Sequence, residues 1–253
     1  MDVDILLDHY ASPFSARYGS VAMRRIFSEK NRRMLWRRIW IALAETQHKF
    51  GLVTAEQVED LRLHAADVTL ERSLEIEKEI GHDVMAEVRA FSELCPVGGG
   101  IIHWGATSAD ITDNADVLRM MDGMDLLLDE LRALLKTLAA QIERYSGMVV
   151  LGYTHLQPAE PTTLGYRLAL YGQDLVEHWE ELRRVRDGLR GKGMKGAVGT
   201  CASYGEILRG KNLSPDTIDA TVMEALGLKA FPVAAQTYPR IQDYRLLSAL
   251  AGL

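Results

Sequence analysis

Apolar residues recur along this chain mainly at spacings of three and four, the period of a helix buried on one face. Ile26, Met34, Trp36, Ile39, Trp40, Leu43 and Ala44 form one such stripe, with Arg and Lys on the other side. The pattern predicts a helix from about Val21 to a stop at Gly51. Thr54-Ala55-Glu56-Gln57 has the form of a capping box and predicts a second helix start. Leu74 to Phe91 reads as helical, with an interruption at Gly81-His82-Asp83. Pro96 and Gly98-Gly99-Gly100 then break the chain and mark the best boundary in it.

The longest stripe follows: Val117, Met120, Met121, Met124, Leu127, Leu128, Leu131, Leu135, Leu138, Ile142 and Tyr145. No proline interrupts it, and a helix of about 30 residues would be about 45 Å long. A second stripe runs from Leu164 through Leu168, Tyr171, Leu175, Trp179, Leu182 and Val185 to Leu189. The connection between them is short, which predicts an antiparallel pair, as in a bundle. Within that connection Met148-Val149-Val150-Leu151 is too short to argue for a sheet, and Pro158 and Pro161 forbid a continuous helix. Ser214-Pro215-Asp216 has an N-cap serine and N1 proline, and Gly227 can end that helix. A final helix is expected from about Ile241, its apolar pattern still running at Leu253. No convincing strand appears, so the pattern points to packed helices with a domain break at Pro96 and Gly98-Gly99-Gly100.

Composition agrees and narrows the function classes. The 253 residues are 47% hydrophobic and 7% aromatic, with ten Met, which suits helix packing more than a β-sandwich. A net charge of −6 argues against nucleic acid as a partner, while leaving room for a small phosphorylated ligand in a local cationic pocket. Cys95 and Cys201 lack metal-ligand spacing and fit a reducing compartment. Met1 opens an acidic stretch rather than a signal peptide. No apolar run approaches the roughly 20 residues that span a bilayer. The expectation is a cytoplasmic protein with no membrane partner.

Chemistry-bearing residues gather at the breaks between helices. His9, His48, His64 and His178 read as surface or packing residues. His82, beside Asp83, His103, before Thr107-Ser108, and His155, between Thr154 and Gln157, each sit where a side chain can face a cleft. No H-E-x-x-H, Cys/His ligand spacing or G-x-S-x-G occurs, so neither a metal site nor an α/β-hydrolase is expected. The stretch Lys192-Gly193-Met194-Lys195-Gly196-Ala197-Val198-Gly199-Thr200 lacks P-loop order and reads as chain passing closely over helices or a ligand. Arg17-Tyr18 suits either phosphate or carboxylate binding or a surface salt bridge. Thr107-Ser108-Ala109-Asp110 reads as a helix N-cap and, compatibly, as an anion site. Gln236 is either a buried donor to a ligand or an ordinary turn residue.

Six segments, in order, resemble the adenylosuccinate lyases, a branch of the fumarase/aspartase lyase superfamily. They are Ser12-Pro13 with Arg17-Tyr18, His82-Asp83-Val84-Met85-Ala86, Ile102-His103-Trp104-Gly105-Ala106-Thr107-Ser108, Thr154-His155-Leu156-Gln157-Pro158-Ala159, Lys195-Gly196-Ala197-Val198-Gly199-Thr200 and Gln236-Thr237-Tyr238-Pro239-Arg240. The resemblance implies an all-α fold, with a small N-terminal helical domain (residues 1–106) followed by a long-helix bundle (residues 107–253), truncated within that bundle; bundles associate into a homotetramer, with active sites built from more than one subunit. It implies β-elimination of fumarate from adenylosuccinate, giving AMP, and from the succinylated imidazole carboxamide ribotide of purine synthesis, with no metal or organic cofactor. By resemblance His155 is the general acid and His82 a second catalytic residue. Thr107 and Ser108 hold a substrate carboxylate, Arg17 and Tyr18 bind the nucleotide, and Asp83, Thr154 and Gln236 contact substrate. The family's base is a serine in a loop of the form Gly-Ser-x-x-Met-Pro-x-Lys-x-Asn, a pattern absent from these 253 residues. The expectation is an N-terminal portion of a lyase, inactive alone. The alternatives are a non-catalytic homologue acting as an interaction subunit, or another fumarate-releasing lyase of the superfamily.

Overall fold

In a computed structural model, Ser12 and residues 14–253 are described. His9 and Pro13, both named above, lie outside the described residues. After a single π-helical turn (Phe14–Tyr18), the helices are α1 (Val21–Ile26), α2 (Glu29–Lys49), α3 (Ala55–Leu63), α4 (Leu70–Ile80), α5 (Asp83–Leu94) and α6 (Ser108–Arg144). Two strands, β1 (Val149–Thr154) and β2 (Gln157–Thr163), come next. Then follow α7 (Leu164–Asp187), α8 (Ala202–Ile207), α9 (Pro215–Leu226) and α10 (Ile241–Gly252). The chain is mostly helical, as its periodicity requires.

Local chemistry explains the boundaries. The helix expected from Val21 to Gly51 is two helices, because Ser28 caps a new one: its Oγ accepts from the Asn31 N–H at 3.2 Å. The Thr54 capping box is complete, with Thr54 Oγ1 accepting from the Gln57 N–H at 3.3 Å and Gln57 Oε1 accepting from the Thr54 N–H at 2.9 Å. Gly81, at φ +67°, ends α4, and Gly227, at φ +71°, ends α9. The connection after α6 corrects the strandless expectation. It is an antiparallel ribbon, with Val149 opposite Thr163, Leu151 opposite Pro161 and Thr154 opposite Gln157. A two-stranded ribbon consists only of edges, so Pro158 and Pro161 can sit in it without breaking a ladder on both sides.

The described residues fall into two compact units: residues up to Met120 with Arg190–Pro239, and Met121–Leu189 with Arg240–Leu253. Along the chain the units interleave, so this division by packing is of a different kind from the chain-order split at residue 106. In the first unit Trp36, Ile39, Trp40 and Leu43 of α2 are buried with Leu61 of α3 and Phe91 of α5. The Trp40 and Phe91 rings stack at 6.4 Å. Arg37 and Glu87 are also fully buried and pair at 2.8 Å. Arg37 donates again to the His64 carbonyl at 2.9 Å, and such added bonds are what let a buried ion pair offset its desolvation. In the second unit α6 and α7 run antiparallel, as their short connection demands. Asp125 takes a double hydrogen bond from Arg186 at 2.6 and 2.7 Å near one end. Near the other, Gly165 meets α6 so closely that a Cβ would lie 2.5 Å from the Ile142 carbonyl oxygen.

Candidate active site

In the first unit the site begins where α6 begins. Asp110 stands three residues after Thr107, and its Oδ2 accepts from the Thr107 N–H at 3.2 Å. A helix start is thereby capped from inside the helix. Among the described residues no hydrogen bond occupies the Thr107 hydroxyl, and Ser108 Oγ meets only His82 Nε2, at 3.5 Å. The hydroxyls at this positive helix end therefore remain available to an anion.

Asp110 also organises the glycine-rich stretch. It is fully buried and pairs with the equally buried Lys192 ammonium. It further accepts from the Lys195 N–H at 3.1 Å, the Gly196 N–H at 3.1 Å and the Tyr204 hydroxyl at 3.1 Å. Burial, with the Asp110 charge beside it, holds the Tyr204 phenol well above its ordinary pKa, so it donates as a neutral group. Lys192 donates to the Gly196 carbonyl at 2.9 Å, and Lys195 pairs with Asp219 at 2.6 Å. Gly193, at φ +86°, runs so close to Asp219 that a Cβ would fall 2.4 Å from Oδ1. The stretch thus passes over helices, as its glycines suggested, but its lysines are consumed in fixing it there. Sequence reasoning missed Asp110, Lys192, Lys195, Asp219 and Tyr204. The one available signal was an acid at the third helical position facing two lysines among glycines.

His82 and Asp83 approach from α5. His82 is the N-cap: Nδ1 accepts from the Met85 N–H at 3.3 Å. Asp83 Oδ1 accepts from the Val84 N–H at 2.8 Å, and Oδ2 from Arg32 at 2.7 Å. His103 lies deeper, at φ +68°, with Nδ1 accepting from the Trp40 indole at 3.1 Å. Burial lowers its pKa; Asp110 opposes that and His82 adds to it, so His103 is a neutral imidazole at pH 7.

The remaining expected residues are distributed as follows. Arg17 and Tyr18 lie exposed on the π-helical turn, Tyr18 at 77%. Gln236 is exposed, which agrees with the turn-residue reading of the two left open for it. The segment is held two residues later by Tyr238, whose N–H donates to Asp113 at 2.9 Å and whose ring stacks on Phe231 at 6.2 Å. Within the first unit, then, the side chains of His82 and Ser108 are brought together from 26 residues apart.

Thr154 and His155 belong to the second unit. The ribbon's two-residue loop is His155-Leu156, and both residues have positive φ, +48° and +61°. That pair of angles is the signature of a type I′ turn, normally filled by Asn and Gly. Two side chains bearing Cβ atoms there is local strain of the kind found where geometry serves function. The turn lifts the His155 imidazole into the open at the tip of the ribbon, next to a 94% exposed Leu156. The histidine, expected at a break between helices, is displayed at the tip of a two-stranded hairpin.

A family model described as "Lyase" matches residues 17–219. The adenylosuccinate lyase of Saccharomyces cerevisiae is 39% identical over 250 residues, covering 97% of this chain and 52% of that protein. That of Pyrococcus horikoshii is 39% identical over 244 residues, covering 94% of this chain and 52% of its own length. Among solved structures, a fumarate lyase from Mesorhizobium sp. BNC1 is 26% identical at a TM-score of 0.79, covering 91% of this chain and 53% of that one. The 3-carboxy-cis,cis-muconate lactonizing enzyme of Pseudomonas putida is 26% identical at a TM-score of 0.80, covering 94% and 54%. The chain spans about half the length of the curated relatives it matches.

Proposed function

Because the chain belongs to the lyase family whose model covers residues 17–219, we propose that residues 1–253 form the acid and carboxylate-binding part of an adenylosuccinate lyase. The reaction is β-elimination of fumarate from adenylosuccinate, giving AMP, with the succinylated imidazole carboxamide ribotide as a second substrate. The observation that carries this reading is the meeting of His82 and Ser108 at the start of α6, in a chain 39% identical to a named adenylosuccinate lyase over nearly all its length.

The chemistry calls for these groups. Removing a proton beside a carboxylate builds negative charge onto that carboxylate, and donors held in place around it lower the barrier. Thr107, Ser108 and His82 supply such donors at a helix N-terminus. The departing nitrogen needs a proton, and an imidazole titrating near neutrality suits that task. His155, with Thr154 beside it, takes the role of general acid. Arg17 and Tyr18 bind the nucleotide, its phosphate first. Asp83 contacts substrate beside His82, its carboxylate steadied by Arg32 at 2.7 Å. Gln236 contacts substrate from its exposed position. The base is contributed by residues outside 1–253, so a polypeptide of these residues alone does not turn over.

Exposed apolar side chains on the ribbon and α7 (Tyr153, Leu156, Tyr166, Leu170 and Tyr171) support association of bundles into a homo-oligomer, a tetramer in the intact enzyme. Among the described residues no helix is long and apolar enough to cross a membrane, and Cys95 and Cys201 are free thiols, which supports a cytoplasmic setting.

The test is fumarate release followed by ultraviolet absorbance. Purified 1–253 is offered adenylosuccinate, argininosuccinate and 3-carboxymuconate, alone and then together with a polypeptide supplying the serine loop. Turnover of adenylosuccinate only in the mixture is expected. Clear turnover by 1–253 alone overturns the division of labour, and preferential turnover of another substrate overturns the substrate class.

A further inference from the structure

His82 makes two contacts through two different ring nitrogens, and the first fixes the chemistry of the second. Its Nδ1 lies 3.3 Å from the Met85 backbone nitrogen. Met85 is the third residue of α5, where the N–H has no carbonyl of its own helix to meet. A backbone N–H can only donate, so Nδ1 must present its lone pair. In a neutral imidazole the proton then sits on Nε2, the nitrogen that faces Ser108 Oγ at 3.5 Å.

The groups around the ring leave this assignment standing. Asp83 Oδ1 is 3.7 Å from Nδ1, and a carboxylate there would ordinarily pull a proton onto that nitrogen. This carboxylate is already engaged, by the Val84 N–H on Oδ1 and by Arg32 on Oδ2. The positive end of α5 points at the same nitrogen and favours a lone pair over a second N–H. His103, the other imidazole close enough to interact, is neutral at pH 7 through burial. Asp110 has both oxygens occupied.

We propose that the first turn of α5 holds His82 as the Nε2–H tautomer, making it a fixed hydrogen-bond donor to a carboxylate lodged at Ser108 rather than a proton acceptor. The carboxylate rests on the lyase reading above; the tautomer does not. For Nε2 to accept a proton it would need a lone pair, which requires Nδ1–H. That hydrogen would point at the Met85 N–H, and the helix would lose its cap. The histidine that initiates α5 is in this way held as a donor and kept out of proton delivery.

The experiment is long-range 1H–15N spectroscopy of the chain labelled with 15N-histidine, at neutral pH, with the His82 signals identified by their loss in His82→Asn. An unprotonated Nδ1 and a protonated Nε2 are expected. A protonated Nδ1, or an even mixture of tautomers, overturns the proposal. Thermal melts give an independent reading. Asn keeps an oxygen able to cap Met85 while lacking Nε2, so His82→Asn should melt within about 1 °C of the wild type. His82→Ala should melt about 2–4 °C lower. Equal melting of the two variants overturns the capping argument, and if His82→Ala does not fold, the wild-type spectrum still decides. Titration with fumarate should move the Nε2 signal while Nδ1 stays unprotonated, and protonation of both nitrogens on titration overturns the neutral-donor role. A reversed tautomer sinks this proposal and leaves the lyase reading intact. Absence of turnover in the complemented assay sinks the reading and leaves the tautomer intact.

Discussion

Replacing Asp110 by Asn removes one charge and almost no volume from the most heavily bonded carboxylate among the described residues. Asp110 and Lys192 are both fully buried. With the carboxylate neutral, the Lys192 ammonium keeps neutral acceptors, the Gly196 carbonyl at 2.9 Å among them, but loses the opposite charge it pairs with. Leaving one partner of a buried pair uncompensated costs about 3–5 kcal/mol. The amide adds a mismatch, because its NH2 must face a position where Tyr204, Lys195 or Gly196 now donates. At about 2–4 °C per kcal/mol for a chain of this size, Tm falls by roughly 6–20 °C. Tryptophan fluorescence reports it, since Trp36, Trp40 and Trp104 all lie in the unit that contains Asp110. The control is Asp129→Asn, which breaks an exposed pair with Arg132 at 2.9 Å and should cost less than about 1 kcal/mol. In the double variant Asp110→Asn/Lys192→Met the buried charge is gone, and part of the loss should return. A fall in Tm below about 3 °C for Asp110→Asn, or a double variant worse than the sum of its singles, would refute the reasoning.

Three smaller effects follow from backbone geometry and burial. Leu156→Gly removes a Cβ at φ +61° and should stabilise the second unit by up to about 1 kcal/mol in urea titration, whereas Leu156→Val should destabilise it. Gly165→Ala puts a Cβ 2.5 Å from the Ile142 carbonyl oxygen and should cost about 1–3 kcal/mol, while Gly147→Ala, with nothing within 4 Å, should stay within about 0.5 kcal/mol of the wild type. His103 has a folded pKa below its unfolded value of 6.5, so the unfolded chain binds more protons between the two. The contribution of its neutral form to stability is present above pH 6.5 and lost as pH falls through the folded pKa. The slope of stability against pH below 6.5 should flatten in His103→Gln.

What could be read in advance was whatever is encoded locally. The α6 and α7 stripes repeat every three or four residues with no proline, so their existence and antiparallel pairing followed from period and connection length. The Thr54 and Ser214 caps and the Gly81 break were legible for the same reason: each motif lies within four residues of the backbone groups it satisfies. The ribbon was not legible, because β2 is almost wholly exposed and contains two prolines. A strand that buries nothing leaves no alternation in its sequence. The break at Phe27-Ser28 was hidden because the apolar stripe continues across it, and only the Ser28 cap divides the helix.

The candidate site divides along the same line. Thr107-Ser108 as a helix start, and His82 and His155 at breaks between helices, were visible in the chain. The donor state of His82 was not, since it depends on which ring nitrogen meets Met85. The buried Asp110–Lys192 pair joins residues 82 positions apart and has no local signature. The sequence left Gln236 open between a buried donor and a turn residue, because its alanine neighbours do not decide exposure, and Tyr238 is the residue that anchors the segment.

Residues 1–253 are proposed to carry the carboxylate-binding half of an adenylosuccinate lyase site. This is tested most directly by calorimetric titration of the chain with adenylosuccinate, beside the same titration of Ser108→Ala. Saturable binding that weakens about tenfold in the variant, with no comparable binding of 3-carboxymuconate, is the predicted result. Binding that is indifferent to Ser108→Ala, or stronger for 3-carboxymuconate, would contradict it.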